Sequence, residues 1–216
     1  MKRPRRAKPR GRGRLIVVEG LDGAGTTTQA RLLGERLAAA GRTVHVTAEP
    51  SRGPVGALVR QVLTRRVVGH DGGFDPAALA LLFAADRLDH HAVEIAPKLA
   101  AGVDVVSDRY TLSSLAYQGL ATGAPAWVEA VNARAPGADL TLFLRARPEI
   151  ALRRRRAASL DREIFEVSSF QRRVAESYDR AIARLRAAGE EVVEIDGEAS
   201  VESVARALWA AVRRLR

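Results

Sequence analysis

The chain has 216 residues and no cysteine, so it can form one domain with a sizeable core but no disulfide and no thiolate metal site. Its net charge of +10 is concentrated in residues 1–14, whose eight Lys and Arg side chains leave only +2 for the rest of the chain. The body of the protein is therefore close to neutral, which argues against binding of nucleic acid through its folded surface. No apolar run approaches the roughly 18 to 20 residues that span a bilayer, and the N-terminus lacks the apolar stretch of a signal peptide, so we expect a cytoplasmic protein without membrane contact.

Residues 1–13 are rich in Pro, Gly and Arg and cannot bury apolar surface, which predicts a disordered basic tail before a single domain over residues 14–216. Such a tail could contact the phosphates of nucleic acid or of anionic lipid. The simpler interpretation, a solvated extension without a dedicated partner, is the one we favour.

Short apolar runs alternate with longer amphipathic segments after the tail. Strands are predicted over residues 14–20, 42–50, 103–110, 140–146 and 190–196. Helices are predicted over residues 26–41, 53–66, 76–102 and 148–188 and from residue 201 onward. Strands separated by helices indicate βαβ units, and hence an α/β fold with helices on both faces of a five-stranded parallel sheet. The segment 76–102 is apolar on most sides at its start, so we expect it to be central to the core.

The stretch VVEGLDGAGTTTQARLL, residues 17–33, joins the first strand to the first helix and nearly matches the phosphate-binding pattern G-x-x-x-x-G-K-[ST]. Gly20 and Gly25 have the required spacing and Thr27 supplies a hydroxyl that can ligate Mg²⁺, but Thr26 replaces the lysine. Backbone N–H groups and the helix dipole remain, so we expect phosphate binding; a purely structural turn is the alternative. The predicted nucleotide-binding residues are Gly20, Leu21, Asp22, Gly23, Ala24, Gly25, Thr26, Thr27 and Thr28.

Two pairs of side chains are further candidates for chemistry. Asp108 and Arg109 end the third strand, where an acid can hold Mg²⁺ and a guanidinium can grip a phosphate; a surface ion pair is the alternative. Phe83 and Arg87 lie one helical turn apart and could receive a flat base and its hydrogen-bonding edge. Alternatively, Phe83 belongs to the core and Arg87 pairs with a neighbouring acid such as Asp86.

A run of four arginines, residues 153–156, precedes a stretch of mixed charge, residues 161–166. Four successive arginines cover the whole circumference of a helix, which is typical of an exposed face. Beside a phosphoryl-transfer site the same run could supply arginines to the transition state. The four histidines have no spacing that suggests a metal site.

Several motifs resemble, in chain order, those of bacterial thymidylate kinases, which transfer the γ-phosphoryl group of ATP to dTMP. The similar segments are EGLDGAGTTTQ in the opening loop, AEPS at the second-strand exit, LLFAADR in the base-binding helix, DRYTLSSLAYQG in the acceptor-site signature and FQRRVAESY after the lid. The likeness runs from about Leu15 to the C-terminus. It implies a P-loop NTPase fold with three α/β/α layers, a short helical lid over about residues 150–166, ATP and Mg²⁺ as cofactors, and a homodimer.

The resemblance also implies roles for the residues that match the motifs. Some members of the family have a basic residue where this chain has Gly23, and members with glycine use lid arginines instead. The implied catalytic residues are Asp22, Arg109, Arg153, Arg156 and Arg162. The residues implied to bind dTMP are Asp22, Glu49, Phe83, Arg87, Arg109, Ser114, Tyr117 and Gln118. The implied Mg²⁺ ligands are Thr27, Asp108 and Glu166.

Three positions depart from the family pattern. Thr26 replaces the loop lysine, and Ala48 replaces an arginine that usually precedes Glu-Pro. Glu163 and Glu166 both fit the acid of the lid, and we favour Glu166. Lid arginines or Arg14 could restore the charge missing from the loop. The competing functions are a kinase for another nucleoside monophosphate or deoxynucleoside, a nucleotide-binding homologue with weak or no kinase activity, and a nucleic-acid-binding protein led by its tail.

Overall fold

A computed structural model describes residues 11–70, 72–158 and 165–215 of the chain, with side chains described at all of these positions except 155–158 and 165–168. Residues 1–10 of the predicted tail lie outside the described residues. Arg12 and Gly13, which the sequence assigns to the tail, contact the fold through an ion pair from Arg12 to Asp139 of 3.0 Å and a hydrogen bond from Gly13 N to Leu99 O of 2.8 Å.

The described residues form one five-stranded parallel sheet, as the alternation of strands and helices predicts. Its strands are β1 Leu15–Gly20, β2 Val44–Ala48, β3 Asp104–Asp108, β4 Leu140–Arg145 and β5 Val192–Asp196, in the order β2-β3-β1-β4-β5. Val18 of β1 lies opposite Asp108 of β3, and Gly20 lies opposite Leu144 of β4. This register brings the loop after β1 and the acid at the end of β3 to the same edge of the sheet.

Helices cover the sheet on both faces. They are α1 Thr26–Ala39, α2 Pro54–Leu63, α3 Pro76–His90, α4 Ala96–Ala100, α5 Thr111–Thr122, α6 Pro125–Asn132, α7 Pro148–Ala158, α8 Phe165–Ala187 and α9 Val201–Val212. Every residue of β1 is buried, and its alternate side chains pack into two separate apolar clusters: Ile16 and Val18 into the larger, Leu15 and Val17 into the smaller. Helices α5 and α6 occupy a segment to which the sequence pattern assigns no element.

The segment 76–102 differs from the prediction in two respects. It is not one α-helix, because a π-helical turn, His91–Ile95, separates α3 from α4. It is central to the core only in part: Ala80, Ile95 and Leu99 are buried in the two apolar clusters, whereas Leu81 is 50% exposed and Leu88 37% exposed. The polar Arg87 and His90 are buried with them. The reason is that α3 turns its polar face to the exit of β2, where buried groups find hydrogen-bond partners.

Candidate active site

The loop between β1 and α1 forms a turn that only glycine accommodates well. Gly23 and Gly25 have φ values of 91° and 96°, in the left-handed region, and a Cβ at Gly20 would lie 3.0 Å from Leu144 O. Gly25 is the N-cap of α1 and no side chain caps this helix end, so its first N–H groups are available to an anion. Thr26 is buried, with its methyl group beside Gly20, and does not reach over the loop as a lysine would.

Thr27 and Asp108, predicted as metal ligands, lie together at the sheet edge. The Thr27 hydroxyl donates to Asp108 Oδ2 at 2.5 Å, and Asp108 Oδ1 is buried without a hydrogen-bond partner. An unpartnered carboxylate oxygen next to a hydroxyl fits a hard divalent cation, which binds oxygen ligands. Among the described residues, no group of three or more Asp, Glu, His or Cys side chains could hold a metal ion. The side chain of Glu166, the third predicted ligand, lies outside the described residues.

A cavity of about 200 Å³ opens beside the loop and gathers all eight residues predicted to bind the acceptor. Its lining consists of Asp22, Glu49, Pro50, Leu63, Phe83, Arg87, Arg109, Tyr110, Ser113, Ser114, Tyr117 and Gln118. The wall contains polar atoms that are buried and have no partner in the described structure: Arg87 Nε, Tyr110 Oη and Ser114 Oγ. Buried polar groups without partners are costly, so these atoms mark where a polar ligand would bind.

Arg87 is fixed in this wall by a network rather than by a neighbouring acid on its own helix. It donates to Glu49 Oε2 at 2.8 Å, to Tyr110 O at 3.0 Å and to Asn132 Oδ1. Asp86, the alternative partner that the sequence suggests, instead accepts hydrogen bonds from the Ser51 backbone and hydroxyl. The guanidinium therefore has a set orientation, and three of its five N–H groups are used, which leaves Nε–H and one N–H of Nη1 without a partner among these contacts.

Arg109 is held by its backbone and by its side chain. Its φ of 72° is unusual for a residue with a side chain and indicates local strain that the surroundings maintain. Its guanidinium lies 2.5 Å from Asp22 Oδ1 and 3.0 Å from Ser113 Oγ, and packs 5.5 Å from the ring centre of Tyr117. The predicted pair Asp108 and Arg109 is thus divided between the metal candidates and the cavity.

Comparison with known proteins identifies the family. A sequence model of the family described as "Thymidylate kinase" matches residues 18–208. The chain belongs to the thymidylate kinase family. It is 40% identical over 179 residues to "Probable thymidylate kinase" of Pyrobaculum calidifontis, which covers 83% of this chain and 86% of the relative. It is also 39% identical over 201 residues to "Thymidylate kinase" of Synechococcus sp. (strain JA-2-3B'a(2-13)), with 91% of this chain and 93% of the relative covered. The "Probable thymidylate kinase" of Pyrobaculum aerophilum is 38% identical over 203 residues, with 93% of this chain and 96% of the relative covered.

Sequence reasoning missed one buried acid in this member of the thymidylate kinase family, Glu19. Its carboxylate accepts hydrogen bonds from Tyr110 N at 2.8 Å and from Ser113 N and Oγ at 3.1 and 2.5 Å. Burial raises the pKa of Glu19 to about 6, against the lowering effects of Arg109 and these hydrogen bonds. The signal was present, since an acid inside the apolar run LIVVEG on a buried strand requires partners.

Tyr178 links helix α8 to the same network. The side chain is fully buried, and its hydroxyl donates to Gly20 O at 3.1 Å and lies 3.0 Å from Ser113 Oγ. This residue therefore connects helix α8 to the start of the glycine loop.

The predicted lid arginines are described only in part. Arg153 is exposed on α7 and lies outside the acceptor cavity, and the side chains of Arg156 and Arg162 lie outside the described residues. Arg154 instead lines a second cavity of about 240 Å³ with Gly25 and Thr28, and donates to Gly197 O at 2.6 Å.

Arg14, one of the two sources left open for the charge that Thr26 removes, does not lie at the loop. Its guanidinium pairs with Asp104 at 2.9 Å, at the amino end of β3, whereas the loop follows the carboxyl end of β1. Asp104 also forms an ion pair with Arg42, so it links side chains at the end of the sheet opposite the loop.

No described helix is both long and apolar enough to cross a bilayer.

Proposed function

We propose that the protein is a thymidylate kinase that transfers the γ-phosphoryl group of ATP to dTMP, giving dTDP and ADP. The observation that carries this proposal is the cavity in which Phe83, Arg87 and Arg109 line one space beside an anion-binding loop. An aromatic face, a guanidinium N–H and a phosphate-gripping arginine are the groups that a nucleoside monophosphate needs. Relatives named as thymidylate kinases, among them one from Synechococcus, support dTMP as the substrate.

Base selection follows from the unpartnered atom of Arg87. Its free Nε–H is a donor, so it favours a base with a carbonyl acceptor at the matching edge. Thymine offers a carbonyl oxygen there, whereas cytosine offers an amino group that would oppose donor to donor. We therefore propose that dTMP binds with thymine against Phe83 and with its carbonyl facing Arg87, and that dCMP is rejected.

Phosphoryl transfer requires positioning and stabilisation of spreading negative charge. The loop amides from Gly20 to Thr28 would hold the ATP phosphates, while Arg109 and Asp22 would set the acceptor phosphate in line. Thr27 and Asp108 would hold Mg²⁺, which when bound neutralises charge on the phosphates. The attacking phosphate oxygen is already ionised at neutral pH, so no general base is needed.

The missing lysine charge would be supplied by the lid. We propose that a lid over about residues 150–166 brings Arg153, Arg156 and Arg162 to the transferring group, with Glu166 as a further metal ligand. Arg154 supports this arrangement, because it lies beside Gly25 and Thr28 and so brings the arginine-rich helix α7 next to the loop.

The assembly and the environment are also proposed. Helices α2 and α3 pack together and expose Leu58, Leu63, Leu81 and Leu88, which supports the homodimer implied by the family resemblance. For the basic tail predicted over residues 1–13, ahead of a single kinase domain over residues 14–216, contact with nucleic acid is proposed through the Lys and Arg side chains of residues 1–10, because Arg12 pairs with Asp139. A cytoplasmic location suits an enzyme that draws on ATP.

A coupled assay with ATP, Mg²⁺ and dTMP tests the proposal on the native protein and on Thr26→Lys. We expect turnover by the native protein and a strong preference for dTMP over dCMP, dAMP and dGMP. An inert native protein with an active Thr26→Lys variant would instead favour the nucleotide-binding homologue. Preferential turnover of a purine acceptor would favour a kinase for another monophosphate.

A further inference from the structure

We propose that His90 is a positioning residue for the acceptor base, which acts by holding Glu49 in the orientation that fixes Arg87. This inference rests on the proposed function, since Arg87 is the residue proposed to face thymine. It adds a buried group outside the cavity to those that determine affinity for dTMP.

At the centre of this network, the carboxylate of Glu49 contacts two side chains of helix α3. His90 and Arg87 lie three residues apart on α3 and therefore on the same face. Glu49, at the exit of β2, accepts from Arg87 Nη2 through Oε2 at 2.8 Å and lies 3.3 Å from His90 Nδ1 through Oε1. Each oxygen of Glu49 thus has its own partner, and loss of either would free the carboxylate to rotate.

A hydroxyl fixes the other side of the imidazole. His90 Nε2 lies 2.9 Å from Oγ1 of Thr47, which is in strand β2 two residues before Glu49. With contacts at both ring nitrogens and a buried side chain, His90 has one available orientation. It can therefore transmit a fixed geometry to Glu49 instead of merely filling space.

Two further side chains connect this hydrogen-bond network to solvent. Glu94, in the π-helical turn, lies 3.7 Å from His90 Nε2 and 2.6 Å from His45 Nε2. Both Glu94 and His45 have side chains that are 31% exposed. Protons can therefore reach the buried imidazole along a short path from the edge strand β2.

The charges around His90 favour its protonated form. Burial lowers its pKa, but the hydrogen bond to Glu49 and the nearby charges of Glu49, Glu94 and Asp86 outweigh this effect and raise it. His91 follows it on the chain, and the Arg87 cation lies on the far side of Glu49. Because a charge-assisted hydrogen bond is stronger than a neutral one, the imidazolium holds Glu49 more firmly than neutral imidazole does.

Loss of the contacts of His90 should weaken the binding of dTMP without changing the rate of the chemical step. Contacts to the base are the same in the ground state and in the transition state, so weakening them raises KM and leaves kcat unchanged. The test variant is His90→Phe, which keeps a ring but removes both polar contacts. The matched control is His91→Phe, because His91 is adjacent and makes no hydrogen bond to Glu49 or Arg87.

We expect His90→Phe to raise the KM for dTMP by roughly tenfold, with kcat and the KM for ATP within twofold of native, and His91→Phe to match the native protein. The native KM for dTMP should rise as the pH increases through the pKa of His90, and this step should be absent in His90→Phe. In a Glu49→Gln background, His90→Phe should add no further increase, because His90 acts through Glu49.

A KM for dTMP within twofold of native, an equal loss in the ATP KM, or an unchanged pH step would overturn the inference. If His90→Phe does not fold, His90→Gln takes its place: it retains one donor, and we expect a smaller rise in KM and the same loss of the pH step. Calorimetric titration of dTMP onto each protein measures the same affinities without turnover. Native protein that binds dTMP but produces no dTDP would overturn the proposed kinase function alone, and equal dTMP affinity in native and variant would overturn the role of His90 alone.

Discussion

Replacement of Glu19 by Gln gives the sharpest test of the buried network behind Arg109. Burial raises the pKa of this carboxyl from 4.5 to about 6. A pKa difference of about 1.5 corresponds to about 2 kcal/mol, since one pKa unit is about 1.4 kcal/mol. The folded state holds the proton more tightly than the unfolded state, so the native protein loses this stability as the pH rises from about 4.5 through about 6. The variant has no such proton to lose.

The assay is urea unfolding followed by circular dichroism at several pH values between 4 and 7, on native protein and Glu19→Gln. The free energy of unfolding of the variant, relative to native, should rise by about 2 kcal/mol across this range. Glu194→Gln is the control. Burial raises the pKa of Glu194, but its hydrogen bonds and ion pairs with Arg145 and Arg186 outweigh burial and lower the pKa. The free energy of unfolding of Glu194→Gln, relative to native, should therefore fall with rising pH. A flat or falling difference for Glu19→Gln would refute the reasoning.

Three further substitutions probe separate parts of the structure. Arg87→Lys keeps the charge but loses the fork that binds Glu49 and Asn132, so the KM for dTMP should rise by about 10- to 100-fold in steady-state assays; an unchanged KM would remove Arg87 from base recognition. Thr27→Val should lower kcat by at least about 100-fold at saturating Mg²⁺ while Thr27→Ser stays within a few fold, and equal activities would exclude a hydroxyl ligand. Asp104→Asn should lower the unfolding free energy by about 2 kcal/mol and leave kcat unchanged, because it weakens the ion pairs of buried Asp104 at the end of the sheet opposite the site; a lower kcat would contradict this separation.

The sheet was readable from the sequence because its signals are local. The apolar run from Leu15 to Val18 has no polar interruption, and such a run forms a strand covered on both faces. The strand-turn-helix context of the loop followed from this run, from the glycines after it and from the amphipathic pattern of residues 26–41. Among the cavity residues, Phe83, Arg87 and Arg109 were candidates from helix spacing and strand position. Others, such as Glu49 and Gln118, came only from family motifs, since no spacing rule relates them.

What the sequence could not predict depends on contacts between distant segments. Arg87 and His90 are buried only because Glu49 lies opposite them, 38 and 41 residues away along the chain, so hydropathy could place this helix at the core but could not show that these polar side chains are buried. The sequence could not exclude Arg14 as a source of the missing loop charge for the same reason, because its partner Asp104, at the amino end of β3, is 90 residues away along the chain.

The central claim is that a loop without a lysine grips ATP and delivers its terminal phosphoryl group to dTMP. The most direct measurement follows the label from γ-³²P-ATP in a reaction of the native protein with Mg²⁺ and dTMP, with the nucleotides separated by chromatography. Our account predicts labelled dTDP over many turnovers, with omission of dTMP leaving the label in ATP. Label that remains in ATP, or passes only to inorganic phosphate, would contradict it.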